Sequence, residues 1–388
     1  MTNRICPSVV PDDESALLVA RVWDAETNGP RIAAVHRGQV WDLSEHAGTM
    51  SEFLERPDAA DIIRAERGVP RWSLEPLIDA SCSNDRRHSR LLSPIDLQVI
   101  KACGVTFVES LIERVIEEAS AGDPSKAASV RVRISEALGG RLRDVVPGSE
   151  SASAVKALLQ REGLWSQYLE VGIGPDPEVF TKAPILSSVG YGAGVGIPAF
   201  SEWSNPEPEL VIIADSRGRA VGATLGNDVN LRDVEGRSAL LLGMAKDNNA
   251  SAALGPFIRV FDDRFGLEQL RVEEIALRVE GSDGFVLTGV SGLSRISRPF
   301  EELMQAVRGT HHQYPDGYAL YTGTLFAPIE DRDEPGRGFT HMLGDVVSIS
   351  SPSLGTLVNT VGRSEELPPW EFGLSDLYHY LRTLPMRV

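Results

Sequence analysis

The chain has 388 residues, 42% of them hydrophobic and 24% charged, the balance of an ordinary folded protein and length enough for two units of the usual ~100–200 residues. Its 38 Lys and Arg against 55 Asp and Glu leave a net charge of −17, which argues against a nucleic-acid partner, because phosphate binding draws on clustered cations. No apolar run approaches the ~20 residues that span a bilayer, the N-terminal Met-Thr-Asn-Arg-Ile-Cys-Pro lacks the apolar core of a signal peptide, and Cys6, Cys82 and Cys103 are too scattered for a disulfide framework or a zinc cluster; a cytoplasmic protein with free thiols and no membrane partner is expected.

Over residues 16–43, short alternating stretches separated by Asn28-Gly29-Pro30 and Arg37-Gly38 predict small antiparallel hairpins, and a helix follows over 50–65. The polar run 81–90 marks a boundary, giving an N-terminal α+β domain over 1–90 and a larger domain over 91–388. Residues 107–121 place Val108, Leu111, Ile112, Val115, Ile116 and Ala119 at the spacing of an amphipathic helix. Two more helices are predicted over 125–138 and 152–162, the first stopped by Gly139-Gly140. From Val171 the chain turns strand-rich, through 222–227, 274–279, 318–326, 345–350 and 355–361, with a short helix over 299–308. This is an α+β pattern with mainly antiparallel β pairing, not a doubly wound nucleotide fold. Gly190-Tyr-Gly192-Ala-Gly194-Val-Gly196 fails the dinucleotide spacing, because Ile197 stands where the third glycine belongs. A flexible loop over a pocket, or merely a turn-rich crossing, is the better reading.

The segment Asn205-Pro206-Glu207-Pro208-Glu209-Leu-Val-Ile-Ile and the later Gly226-Asn227-Asp228 carry the chemistry. The β-branched run reads as a strand, and alternation puts Glu207 and Glu209 on one face. A two-residue loop at Arg217-Gly218 would set Ser216 against Arg219 and so Asp228 against Glu207, on the same face unless a bulge shifts the register. Three converging carboxylates repel, and an all-oxygen set suits Mg²⁺, Mn²⁺ or Ca²⁺ better than zinc. A Glu-Pro-Glu pair on a solvated edge strand is the competing reading, and spacing alone does not choose.

Lys246, in Gly243-Met-Ala-Lys-Asp-Asn-Asn249, is either a solvated surface lysine or, beside a cation in a closed cleft, a proton acceptor of lowered pKa or a partner for a substrate carboxylate. Glu178 and Lys182 bracket an alternating strand that could line the same cavity. Ser110 and Glu113 share the polar side of the helix over 107–121 and face either water or a cleft.

Glu207-Pro-Glu209, Gly226-Asn-Asp228-Val, Lys246-Asp247, Gly255-Pro256, Tyr321-Thr-Gly-Thr324 and Gly344-Asp345-Val resemble, in order and separation, the fumarylacetoacetate hydrolase superfamily over roughly residues 91–361. Segments such as Lys101-Ala-Cys-Gly-Val-Thr-Phe107, Glu235-Gly-Arg-Ser-Ala-Leu-Leu-Leu242 and His312-Gln-Tyr-Pro-Asp-Gly317 resemble its sugar-acid branch, the 2-keto-3-deoxy-pentonate dehydratases. The resemblance implies packed, mostly antiparallel sheets in a β-roll, a homodimer or homotetramer, and Mg²⁺ (or Mn²⁺) on Glu207, Glu209 and Asp228. It sets Glu178 and Lys246 beside the ion, Lys182, Asn227 and Thr324 near a small sugar-acid substrate, and Glu113 as a further acid. The superfamily's carbon-carbon hydrolases carry a His three residues before a Glu on an early helix, where this chain has Ser110 before Glu113. Serine alone is no base near neutral pH, so elimination of water is expected over the runner-up, hydrolysis of acylpyruvates or related diketo acids. A non-catalytic sugar-acid binding protein is the third reading.

Overall fold

The computed structural model describes residues 8–65, 68–83, 85–138, 140, 142, 145–326, 328, 330–332 and 338–384. Cys6 lies outside them; Cys82 and Cys103 form no disulfide among them.

The run Leu210-Val-Ile-Ile213 does form a strand, Pro208–Ala214, and all of it is buried. A strand covered on both faces needs no polar alternation. Leu210 and Ile212 share a core with Leu277, Val347 and Leu357 of a second sheet, while Val211 and Ile213 share another with Met50, Phe53 and Ile258. Among the described residues the main sheet has eleven strands, and its central order is Leu18–Asp24, Ala252–Val260, Ala220–Asp228, Pro208–Ala214, Tyr318–Tyr321, Val99–Gly104 and Glu178–Ala183. Pairing is antiparallel except between Tyr318–Tyr321 and Val99–Gly104. A five-stranded sheet built on Glu274–Glu280, Val346–Ser351 and Gly355–Arg363 lies against it. The molecule is thus a mixed α/β protein with large, mainly antiparallel sheets.

One helix differs from the sequence expectation. The helix expected over 50–65 is broken into Met50–Leu54 and Ala59–Ala65, because Pro57 has no N–H to give a helix and disfavours helical Arg56. The sheet also runs unbroken across residue 90: Arg90–Leu91 pairs with Leu18–Asp24, which pairs with Ala252–Val260.

The helices Val108–Ala119, Pro124–Leu138, Glu150–Arg161 and Gln167–Ile173 form a separate layer with its own core of Leu111, Val115, Ile116, Leu159, Leu169 and Ile173. The polar side of the first of these helices reaches the end of the Pro208–Ala214 strand. No helix among the described residues is long and apolar enough to cross a membrane.

Candidate metal centre

The hairpin register places the carboxylates. Pro208 pairs with Asn227 and Glu209 with Gly226, and the Asp228 N–H donates to the Glu207 carbonyl at 3.0 Å, so Asp228 does stand opposite Glu207. The route differs from the predicted two-residue loop. The Asp215 N–H donates to Arg219 O at 3.0 Å and the Gly218 N–H to Asp215 O at 2.9 Å, a three-residue loop closed by Gly218 at φ 78°. Such loops need a left-handed third residue, which glycine supplies without strain. The Asp215 carboxylate secures the turn by accepting from the N–H groups of Arg217 and Arg219 at 2.9 Å each. The longer loop shifts the register by one, pairing Ala214 with Ala220, and a bulge then leaves Val221 over, so that Ile213 meets Gly222. The two irregularities cancel before the chain reaches Asp228.

Glu207, Glu209 and Asp228 each offer an oxygen within 4.8 Å of the others and are only 5%, 2% and 2% exposed. That removes the solvated edge strand. Glu209 Oε2 accepts from the Gly323 N–H at 2.6 Å, yet burial, then the charges of Asp228 and Glu207, push its pKa well above the usual range. Burial also raises Asp228, but Lys182 and Lys246 outweigh it and the net shift is downward. Lys182 Nζ stands 2.8 Å from Asp228 Oδ1, out of line for a hydrogen bond, so that this buried oxygen has no hydrogen-bond partner. Hard oxygen donors, one of them unsatisfied, in a pocket of mutually repelling carboxylates fit a divalent cation such as Mg²⁺. Glu207, Glu209 and Asp228 would hold it.

Lys246 is buried, with Nζ 2.7 Å from Glu207 Oε2 and 3.1 Å from Asp228 Oδ2. Burial pulls the Lys246 pKa down, but the charges of Asp228 and Glu207, uncompensated by a cation, outweigh burial and raise it. Lys246 is a fixed cation here. Lys182 is fully buried on a bulge, since Ile100 pairs with Ala183 and Lys101 with Thr181, the kind of irregularity that re-aims a side chain. Its ammonium donates to Lys246 O at 2.6 Å and Val229 O at 3.2 Å besides facing Asp228. Two of its three donors are thereby engaged by carbonyls, which ties the Lys182 ammonium to the backbone of Lys246. Glu178, at the start of the same strand, is pushed up to about 7 by burial and then by the charge of Glu235.

The structure places four other predicted residues as follows. The Ser110 hydroxyl donates to Phe107 O at 3.0 Å, inside its own helical turn. Glu113 accepts a fork from Arg131 at 2.9 and 2.7 Å and a bond from Arg232 at 3.1 Å, and no described histidine is recorded against it. Asn227 alternates to the opposite face from Asp228, where its Oδ1 accepts from the Glu207 N–H at 3.3 Å. The Thr324 hydroxyl accepts from the Phe326 N–H at 3.1 Å and closes a turn.

Sequence reasoning missed Arg114, Glu117, Glu235 and Gly104. Arg114 is the one cation in Val108–Ala119; its guanidinium bonds Glu207 Oε1 and Glu117 Oε2 at 2.5 Å each and lies 3.0 Å from Glu235 Oε2. A lone arginine among glutamates on a helix's polar side was the available signal. Gly104 faces Glu178 so closely that a Cβ there would meet the Glu178 Oε2 at 1.9 Å. A cavity of about 890 Å³ opens elsewhere, between the predicted glycine loop, Arg90 and residues 367–383; none of the carboxylates or lysines above lines it.

No family model matches the chain. A probable 2-keto-3-deoxyxylonate dehydratase of Haloferax volcanii is 29% identical over 334 residues, 85% of this chain and 95% of that protein. A 2-dehydro-3-deoxy-D-arabinonate dehydratase of Saccharolobus solfataricus is 30% identical over 191 residues, 49% of this chain and 60% of that protein. The fold is shared with 2-keto-3-deoxy-D-arabinonate dehydratase complexed with magnesium and 2,5-dioxopentanoate, at a TM-score of 0.62 and 22% identity over 89% of this chain and 99% of that one. It is shared also with 5-carboxymethyl-2-hydroxymuconate delta-isomerase from Mycobacterium smegmatis, at a TM-score of 0.51 and 20% identity over 89% and 98%. The chain thus shares the fold of these solved structures and carries a buried acidic centre. The resemblance to the sugar-acid dehydratases is upheld by both sequence relatives.

Proposed function

We propose that the chain is a Mg²⁺-dependent hydro-lyase of 2-keto-3-deoxy sugar acids, converting 2-keto-3-deoxy-D-xylonate or a related pentonate to 2,5-dioxopentanoate (α-ketoglutarate semialdehyde) in oxidative pentose catabolism. The observation that carries it is the buried Glu207, Glu209 and Asp228 set with a fixed Lys246 cation against it, in a chain whose two sequence relatives are named as dehydratases of such acids. A hydrolase would need a histidine against Glu113, but His341 is bound to Asp345 at 3.2 Å and Glu113 is engaged by arginines.

A divalent cation, when bound, would polarise the C1 carboxylate and C2 oxo group of the acid and so acidify the C3 hydrogens. Glu178 is suited to accept the C3 proton, since a buried carboxyl at about 7 is ionised in good part near neutral pH and more basic than an ordinary glutamate. The C3–H electron pair forms the C3–C4 double bond, and the C4–O bond breaks. Lys246, held positive, supplies a proton to the departing C4 oxygen, which leaves as water. A C5 proton then moves to C3, its electron pair forming the C4–C5 double bond of an enol, and transfer of the enol O–H proton to C4 yields the aldehyde. Lys182 keeps Lys246 in place through its carbonyl, and Glu113 has no step.

The proposal includes a cytoplasmic homodimer or homotetramer that also accepts Mn²⁺. It also takes residues 1–90 as a variable part added to a catalytic part over 91–388, the two sharing a sheet. The test is to incubate purified protein and Mg²⁺ with 2-keto-3-deoxy-D-xylonate and its C4 epimer and assay the semialdehyde. Formation from one epimer in preference to the other is expected. No product from either acid would sink the reading.

A further inference from the structure

Arg114 joins the helical layer to the carboxylate centre. Its Nη2 holds Glu207 Oε1 at 2.5 Å. Its Nη1 holds Glu117 Oε2 at 2.5 Å and lies 3.0 Å from Glu235 Oε2. Glu117 is gripped in turn by Arg232 Nε at 2.6 Å, and Arg232 Nη2 reaches Glu113 at 3.1 Å. These partners are nearly all buried, and a planar guanidinium in such a fork has a single geometry that a lysine ammonium cannot reproduce. Glu207 is therefore clamped at both oxygens, Oε1 by Arg114 and Oε2 by Lys246, whereas a free glutamate would sample several rotamers.

We propose that Arg114 is the positioning residue of the centre: by locking Glu207 through Oε1 it fixes the carboxylate in the rotamer that a divalent cation requires. The inference rests on the cation reading of the carboxylates. Its sign separates it from a simple charge effect. A guanidinium beside a cation site repels the ion, so removing its charge would tighten binding if charge were its whole role, while losing the lock weakens binding. Groups that orient metal ligands typically contribute ~10–100-fold in affinity.

The test is calorimetric Mg²⁺ titration of the full-length, EDTA-treated protein without substrate, for wild type, Arg114→Lys and Glu117→Gln. Arg114→Lys keeps the charge and loses the fork, and is expected to bind Mg²⁺ ~10–100-fold more weakly, with kcat restored when Mg²⁺ is raised to saturation. Glu117→Gln, which frees the far side of the fork, is expected to shift affinity in the same direction by less. Should Arg114→Lys not fold, Arg114→Gln decides by its sign, because loss of the positive charge alone would tighten Mg²⁺ binding whereas loss of the lock weakens it. Affinity equal to or tighter than wild type in the folded variants overturns the proposal, as does a lowered melting temperature with Mg²⁺ affinity unchanged. A wild type that binds no Mg²⁺ refutes the cation reading instead.

Discussion

Gly104→Ala isolates the placement of Glu178 from its chemistry. Gly104 pairs with Glu178 across adjacent strands, and a Cβ would lie 1.9 Å from Glu178 Oε2 and 2.7 Å from its carboxyl carbon. Real Cβ atoms essentially never come within 3.0 Å of such neighbours, so the carboxylate must retreat by about 1.1 Å. The clash is with the mobile end of a side chain, so the fold absorbs it and the melting temperature should change little. Catalysis should not absorb it, because a misplacement of ~1 Å at a reacting group costs on the order of 10²-fold. Steady-state turnover of the preferred 2-keto-3-deoxy-pentonate is expected to fall by about that factor in kcat, and the same change in a Glu178→Ala background should add nothing further. Wild-type kcat in Gly104→Ala, or a full additional loss in the Glu178→Ala background, would refute the assignment of the proton to Glu178.

Three further outcomes follow from the site. Glu209 is pushed up by burial and by its carboxylate neighbours, so its charged form costs stability at neutral pH; Glu209→Gln should melt higher than wild type in EDTA and lose the Mg²⁺-induced gain, and an undiminished gain would contradict the ligand role. Because Glu178 titrates near 7 and must be unprotonated to accept a proton, kcat/KM should fall as pH drops below about 7, well above the ~4.3 of an ordinary glutamate; a pH–rate profile flat into the ordinary carboxylate range would count against it. Asp215→Ala leaves two turn N–H groups without their acceptor and should cost ~1–3 kcal/mol in urea denaturation with Mg²⁺ affinity unchanged. Altered affinity would mean that the hairpin register depends on the loop.

What was legible in the sequence was local. Alternation along Glu207-Pro-Glu209 and a count back from the turn were enough to set Asp228 opposite Glu207, although the loop and the bulge each departed from the count and offset one another. The break at Pro57 was also readable, since proline's missing N–H is written in the residue itself. The long-range parts were not. Arg114 and Glu207 are 93 positions apart, and nothing in the helical period of Val108–Ala119 says which strand end its polar side will meet. Lys182 enters the site through a bulge that depends on its pairing with Val99–Gly104. Thr324 and Asn227 sit in matching motifs, and the contacts their side chains make, with a turn N–H and with the Glu207 N–H, depend on chain geometry that no local pattern announces.

The most direct test is a crystal structure grown with Mg²⁺ and pyruvate, whose carboxylate and adjacent oxo group stand for C1 and C2 of the substrate. The account predicts one ion at ~2.0–2.1 Å from an oxygen of each of Glu207, Glu209 and Asp228, with pyruvate against it and Glu178 facing the pyruvate methyl group. An ion bound away from these three carboxylates, or a site in which Lys246 still bridges Glu207 and Asp228 while pyruvate lies elsewhere, would contradict it.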